Sequence, residues 1–462
     1  MNEEEAYDVV VVGGGASGTA LLYTLAKYTN IERIAILEKA DTFGSLNSHA
    51  TNNSQTLHVG DIETNYTVDK VRDVYPSAMM VKRYADSLSE EKRAKIIRPV
   101  HKMVLGVGES EVQALDERYA ALKDIFPTLE RLDGEGIAKI EPEIMRGRRS
   151  DEPVAALFNS EGYAVNFGLL AQSFVSEAIK IAGERMTICL STRLLEIEPF
   201  EKGYRLVTST GAIRANIVIV DTDAYSLGFA KSLGLGKEFS LIPVAGTFFF
   251  SPQKLNGKVY RVQEKRMPFA AVHGDPDLTK DGLTRWGPTA RFYPVLEANN
   301  AKTVLDFFRV SGLHRFQTWI SFFFILLEPI RFWYLLKNFF YDIPIIGKHL
   351  LLPQLRKIVP TLTAKELQFA KGYGGMRLQR VDTNSRQLLL GEGKIVGERI
   401  IFNMTPSPGA SVSLYNAMRD AAQIMAFEPR YEFDKQRMLT ELCINRMPPT
   451  GRDPSLEDSY AS

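Results

Sequence analysis

Cysteine is scarce in this chain: 462 residues contain two, Cys189 and Cys443. Two thiols so far apart offer neither metal-type spacing nor a disulfide framework, which speaks against a zinc module and against a stapled secreted scaffold. An excess of one charge is also lacking. Lys and Arg number 56 against 55 Asp and Glu, a formal net charge of +1, so no global field favours nucleic acid or another polyanion as partner. No stretch reaches the ~18 uninterrupted apolar residues of a bilayer-crossing helix. The acidic start, MNEEE, has neither the basic region of a secretory signal nor the Arg-rich character of a transit peptide. The expectation is a protein of a reducing compartment that crosses no membrane. What is present is a globular composition, 45% hydrophobic and 24% charged, long enough for two or three lobes around buried cores.

Along the chain, 7–12 (YDVVVV) is a continuous apolar run ending in glycines, as a strand buried on both faces reads. Helical spacing follows over 16–28 and a second buried strand over 33–37, giving a strand–helix–strand unit. Residues 41–67 are rich in Asn, Ser, Thr and Gly and read as irregular, 68–100 as mostly helical, and 102–108 as strand. A helix is expected over 166–183, with strands at 186–198, 204–209 and 214–220. Between 240 and 295 strand candidates crowd together without helices, the pattern of an antiparallel sheet. Residues 301–359 read as helical and aromatic, 363–430 as mixed, and the tail from 445 as disordered.

The sequence GGGASG at 13–18 fits G-x-G-x-x-G through Gly13, Gly15 and Gly18. Glycines there permit a tight turn and close backbone approach to a diphosphate seated on a helix N-terminus, where Ser17 stands in the first turn. Such a hexapeptide alone is a weak signal. Here it follows a buried strand, opens a helix, and precedes Glu38 at the end of the second strand, where a carboxylate accepts hydrogen bonds from ribose hydroxyls. A bound dinucleotide is expected, and this motif serves FAD and NAD alike.

Later segments carry a more specific signal. NSQTLHVG at 53–60, ETNYT at 63–67, LIPVAG at 241–246, PFAAVHGD at 268–275, GPTA at 287–290, KGYGGMR at 371–377 and NMTPSPGA at 403–410 occur in this order over most of the chain. In these segments the sequence resembles the malate:quinone oxidoreductase family, in particular its shorter bacterial members. The resemblance implies FAD as cofactor, oxidation of (S)-malate to oxaloacetate, and membrane quinone as acceptor. It also implies an α/β fold: a Rossmann-type FAD-binding domain, a second antiparallel-sheet substrate domain of α+β character, and a helical insertion. The expected division is 1–85, 145–235 and 360–435 for the FAD domain, 86–144 and 236–300 for the cap, and 301–359 for the insertion. Two alternatives stay open. One is an FAD-dependent dehydrogenase or oxidase of another 2-hydroxy acid (2-hydroxyglutarate, lactate) or of an amino acid. The other is a non-catalytic flavin-binding interaction protein. One departure bears on these: after the strand at 214–220 the sequence is Asp221-Thr222-Asp223, where family members have a small Ala-Gly turn.

Oxidising a 2-hydroxy acid removes a hydride from carbon and a proton from the hydroxyl. That calls for a base near neutral pKa, a cation for the carboxylate, and stabilisation of the reduced flavin. Histidine suits the first role. The resemblance places His58 beside the flavin ring, with Gln55 and Thr56 of the same segment as cofactor contacts, and His273 across the substrate. Which of the two is the base stays open; His49, His101, His314 and His349 are expected to be structural or exposed. For the carboxylate, the planar fork of Arg377 is the first choice, with Arg285 or Lys371 as second anchor and Tyr373 as hydrogen-bond donor. Pro408, Gly409 and Ala410 precede a helix expected from about 411, whose N–H groups favour negative charge at the flavin N1–C2 edge.

The apolar run WISFFFILL at 319–327 is followed by Pro329 and further aromatics up to Tyr341. Six Lys and Arg stand against two acids within 311–360. Short aromatic helices with basic flanks suit the headgroup region of a bilayer. The expectation is a peripheral contact through 316–341, on the cytoplasmic side of the inner membrane.

Overall fold

The computed structural model of the chain describes residues 5–263, 272–298, 300–313, 315–326, 340–341, 343–389, 392–405 and 408–443. The tail expected from 445, His314, and the aromatics at 327–339 lie outside the described residues.

The strand–helix–strand unit forms as expected: Ala6–Val12, Ala16–Tyr28 and Ile34–Leu37. It seeds a sheet in which Gly211–Val220, Ala6–Val12, Ile34–Leu37 and Met186–Cys189 run parallel as successive neighbours. Ile400–Met404 extends it in parallel, and Gly393–Gly397 closes that edge antiparallel. The valines explain why the sheet is central. Val9 and Val11 join a core cluster with Leu21, Leu25 and Phe174 on one face, while Val10 and Val12 join Leu37, Val218 and Val220 on the other. Alternation along one strand thus feeds two cores, and burying each such side chain contributes roughly 1.5–3 kcal/mol. Helices Ala16–Tyr28, Phe167–Ala182 and Ser413–Phe427 cover the first face.

The stretch 186–198, expected as one strand, is two. Met186–Cys189 is parallel to Ile34–Leu37, whereas Leu194–Phe200 joins the same sheet as a branch, antiparallel to Gly203–Thr208, which pairs with Gly211–Val220. Ser191, at φ 51°, makes the turn between them.

A second eight-stranded sheet forms the cap, in the order Gln368–Phe369, Phe249–Pro252, Leu283–Gly287, His273–Pro276, Lys258–Arg261, Lys102–Val107, Val154–Asn159, Leu129–Leu132. All its pairings are antiparallel except Lys258–Arg261 with Lys102–Val107. Three segments cross the expected division. Gln368–Phe369, from within 360–435, pairs into the cap sheet. Val154–Asn159 pairs into the cap sheet from within 145–235, and Met376–Asp382 pairs with Phe239–Ala245 in a separate small sheet rather than in the dinucleotide sheet. Helices occupy the insertion at Val304–Ser311, Phe316–Leu326 and Pro344–Arg356.

Candidate active site

In an open parallel sheet, ligands bind beyond the strand C-termini where the chain reverses its order of addition. That point lies between Ala6–Val12 and Gly211–Val220, and a cavity of about 370 Å³ opens there and runs to the cap sheet. Its near end is built by the glycine motif. Gly13 has φ 115°, and a Cβ on it would stand 2.2 Å from the carbonyl oxygen of Asp221; a Cβ on Gly18 would stand 2.0 Å from the carbonyl oxygen of Gly13. The helix Ala16–Tyr28 therefore approaches the strand through hydrogen-only surfaces. No acidic residue and no side-chain cap blocks its first turn, which leaves its positive end to an anion.

Glu38 is buried, its Oε2 accepting from the Gly14 N–H at 2.6 Å and its Oε1 from Ala40 at 2.8 Å. Its remaining lone pairs border the cavity. Ser48 Oγ accepts from the Ala16 N–H at 3.0 Å, and the Ser17 hydroxyl donates to Thr405 Oγ1 at 3.3 Å. Together they tie both flanking loops to the start of the helix. These residues fit the ADP half of FAD: a glycine cradle, an anion-favouring helix end, and an acidic residue for a ribose.

Asp221 and Asp223 also line this end. Burial, then the nearby Asp420, pushes the Asp221 carboxyl well above its ordinary value. Asp223 adopts φ 52° and ψ −118°, a conformation natural to glycine, and accepts from Asn47 Nδ2 at 2.9 Å. Burial pushes its pKa up to about 6, against the opposing Asn47 bond. Because the folded value is raised, the stability that this group contributes is complete below about pH 4 and is lost as pH rises through 6; the loss is at most about 3 kcal/mol. The Asp223→Gly variant removes both the charge and a backbone strain of about 1–3 kcal/mol. It is expected to melt at a higher temperature than the parent, by more at pH 7.5 than at pH 5, in paired thermal melts. An equal shift at both pH values would show that the carboxyl does not titrate in this range.

At the other end the segment 54–60 meets the cap. His58 Nδ1 bonds Glu63 Oε1, and its Nε2 lies 3.1 Å from Ser54 Oγ. Burial alone would raise the Glu63 carboxyl, but the charge and hydrogen bond of His58 outweigh it and hold it below its ordinary value. Glu63 is itself fixed by the Gly60 N–H at 2.9 Å. The Ser411 hydroxyl accepts from the His58 N–H at 3.0 Å and so brings the 408–411 turn against this segment. Opposite stands His273, 1% exposed and stacked on Tyr260 at 4.3 Å between ring centroids. Arg377 borders the same cavity from the strand Met376–Asp382, backbone-paired with Val244.

The structure thus brings Gly13, Gly15, Ser17, Glu38, Thr56, His58, His273, Arg377, Pro408 and Ala410 to one cavity. Other expected residues stand elsewhere. Gln55 lies outside the lining and is fully buried; its amide bonds Ala50 and Asp277 and accepts from Leu278, which fixes the loop to the cap. Gly18 and Gly409 act through packing, the latter with its Cβ position 2.5 Å from the Thr405 carbonyl oxygen. Arg285 is fully buried against Asp275, so it presents no fork to a substrate. Lys371 is exposed outside the lining, and the Tyr373 hydroxyl is engaged by Thr279 at 2.8 Å. Three residues of the site had no role assigned from sequence: Ser54, Glu63 and Tyr260. The spacing Ser54–His58–Glu63 is a local signal for the first two.

A family model described as malate:quinone oxidoreductase matches residues 5–428. The chain belongs to the malate:quinone oxidoreductase family. A malate:quinone oxidoreductase of Helicobacter pylori (strain J99) is 39% identical over 429 residues, 91% of this chain and 94% of that one. A probable malate:quinone oxidoreductase of Campylobacter jejuni is 39% identical over 453 residues, 96% of this chain and 100% of that protein. Among solved structures, glycine oxidase from Geobacillus kaustophilus superposes with a TM-score of 0.62 at 19% identity, covering 93% of this chain and 97% of its own. The L-α-glycerophosphate oxidase from Mycoplasma pneumoniae, solved with FAD bound, gives 0.60 at 17% identity, with 92% and 96% covered. At such identities these two establish the fold this family member shares with them.

Proposed function

We propose that the chain catalyses FAD-dependent oxidation of (S)-malate to oxaloacetate with quinone as acceptor. The observation that carries this reading is the convergence of the glycine cradle, the His58–Glu63 pair and Arg377 on one cavity. When bound, FAD supplies the two-electron acceptor for the C2 hydride and passes the electrons on to quinone. His58 is the base. Glu63 holds its Nδ1 proton, directs Nε2 to the place marked by the Ser54 hydroxyl, and stabilises the imidazolium formed on proton uptake. The hydroxyl proton passes to Nε2 as the C2 hydrogen leaves with its electron pair, and the C2–O bond becomes a carbonyl.

The two carboxylates need cations. Five lining residues can supply one: Lys39, His58, Arg193, His273 and Arg377. With His58 as base, Arg377 and His273, which border the same cavity, bind the two carboxylates. Steady-state assays crossing malate, 2-hydroxyglutarate and lactate with quinone and oxygen test the assignment. Malate with quinone is expected to give the highest kcat/KM; lactate as the better substrate would refute a site built for two carboxylates.

Quinone resides in lipid, which requires a docking face. No described helix is long and apolar enough to cross a membrane. On Phe316–Leu326, however, Phe316 (78% exposed), Trp319 (53%) and Phe323 (60%) point outward. The Arg386 guanidinium lies 5.1 Å from the Phe324 ring centre, at the edge of this face. We read it as a peripheral contact with the cytoplasmic leaflet. The triple variant Phe316→Ser, Trp319→Ser, Phe323→Ser is expected to bind phosphatidylglycerol vesicles at least tenfold more weakly in flotation. Malate oxidation with a soluble dye acceptor should be unchanged. Flotation equal to the parent would remove this face from the reading.

A further inference from the structure

Behind the proposed site the cap sheet holds a row of charge that the chemistry above does not use. Asp275 faces Arg285 in register, and the pairing of Tyr260 with His273 sets Lys258 opposite Asp275. On its other side Lys258 faces Lys102, which in turn faces Asn159. Five adjacent strands thus give one residue each to a single transverse row. Lys258, Asp275 and Arg285 are fully buried, Lys102 and Asn159 nearly so.

Within the row, Asp275 bridges its neighbours: its Oδ2 lies 2.5 Å from Lys258 Nζ and 2.8 Å from Arg285 Nη2. Asp61 plays the same part from below, 2.6 Å from Lys102 and 2.8 Å from Asn159 Nδ2. Removing so many charges from water costs several kcal/mol per ion, and apolar residues of the same shape are often as stabilising or better. Stability alone therefore gives little reason for the row.

Its remaining hydrogen bonds converge on one target. Arg285 donates to the carbonyls of Asn53 and Ser54 at 3.1 and 3.0 Å, Lys258 to Ser54 at 3.1 Å, and Lys102 to Leu57 at 3.5 Å. Two residues along the same strands, on the same sheet face, are His273 and Tyr260, and the Tyr260 hydroxyl meets Thr56 Oγ1 at 2.8 Å. Backbone bonds hold the far side of the segment, from Leu57 N–H to Tyr163 and from Val165 N–H to Gln55. The piece of chain that carries Ser54 and leads into His58 is in this way clamped to the strand that carries His273.

We infer that Lys258, Asp275 and Arg285 are positioning residues for the oxidation, fixing the separation between His58 on one wall of the cavity and His273 on the other. The inference rests on the functional reading above. Hydride transfer needs the reacting atoms held within about 3–3.5 Å, and a misplacement of about 1 Å costs on the order of a hundredfold in rate.

The test is stopped-flow reduction of the flavin by malate, expressed per bound flavin so that unfolded protein does not count. Two variants are compared with the parent. Asp277 Oδ2 also lies 3.5 Å from Arg285 Nη1, so Lys258→Met leaves Asp275 and Asp277 against Arg285 alone, and the double variant Lys258→Met, Asp275→Asn restores the balance of buried charge. Both are expected to bind flavin and to be reduced normally by dithionite. Their limiting rate with malate should fall at least thirtyfold while the malate concentration for half-maximal rate changes less than threefold. A double variant reduced within threefold of the parent rate would make the row structural only and overturn the inference. A parent protein that malate does not reduce would take down the functional reading itself.

Discussion

Gly15→Ala is expected to give a folded protein that has lost its flavin, whereas Gly18→Ala loses flavin and helix packing together. The difference lies in what an added methyl meets. At Gly15 the nearest atom is Ser48 Oγ at 3.4 Å, an ordinary contact, so the polypeptide tolerates the change. The space taken is on the cavity side, where a diphosphate must approach the backbone. At Gly18 the methyl meets the Gly13 carbonyl oxygen at 2.0 Å, and the helix Ala16–Tyr28 has to move off the strand it packs against. Circular dichroism, melting temperature and flavin content after reconstitution distinguish the two. We expect parental melting of the apoprotein and at least a hundredfold weaker FAD binding for Gly15→Ala, and a clearly lowered melting temperature for Gly18→Ala. Full flavin retention in both would show that the ligand does not lie on this turn.

Arg377→Met is expected to lower kcat/KM for malate by between about thirtyfold and about five thousandfold with flavin content unchanged. Truncating one partner of a desolvated, hydrogen-bonded charge pair costs about 2–5 kcal/mol, which corresponds to that range. Arg377→Lys keeps the charge and gives up the planar fork, so an intermediate loss is expected. Arg285, the other arginine expected from sequence to serve as an anchor, is committed to Asp275 and to the carbonyls of Asn53 and Ser54. Parental kcat/KM in Arg377→Met would assign carboxylate binding to another residue.

The contrast between Arg377 and Arg285 shows what a sequence discloses here and what it hides. Both follow strand-like or glycine-rich segments, and both have the same chemistry. Only tertiary pairing decides that one lines the cavity while the other is sealed beneath it, and the partner that seals Arg285 lies across a strand pair. The place of Gln55 is hidden for the same reason, its amide being taken up by Asp277, more than two hundred positions away. The strand–helix–strand start was legible because its apolar run, its glycines and Glu38 are all local. Helix Glu109–Leu122 was not, since only Leu115 and Leu122 are buried and a mostly solvated helix shows little periodicity. The charged row of the cap was out of reach altogether, because its members come together only through the order of the strands.

Anaerobic titration of the purified holoprotein with (S)-malate addresses the central claim most directly. The prediction is bleaching of the flavin's visible absorbance with one equivalent of oxaloacetate formed per flavin, and recovery of colour on adding a quinone. A yellow protein that dithionite bleaches but excess malate leaves unchanged would contradict it.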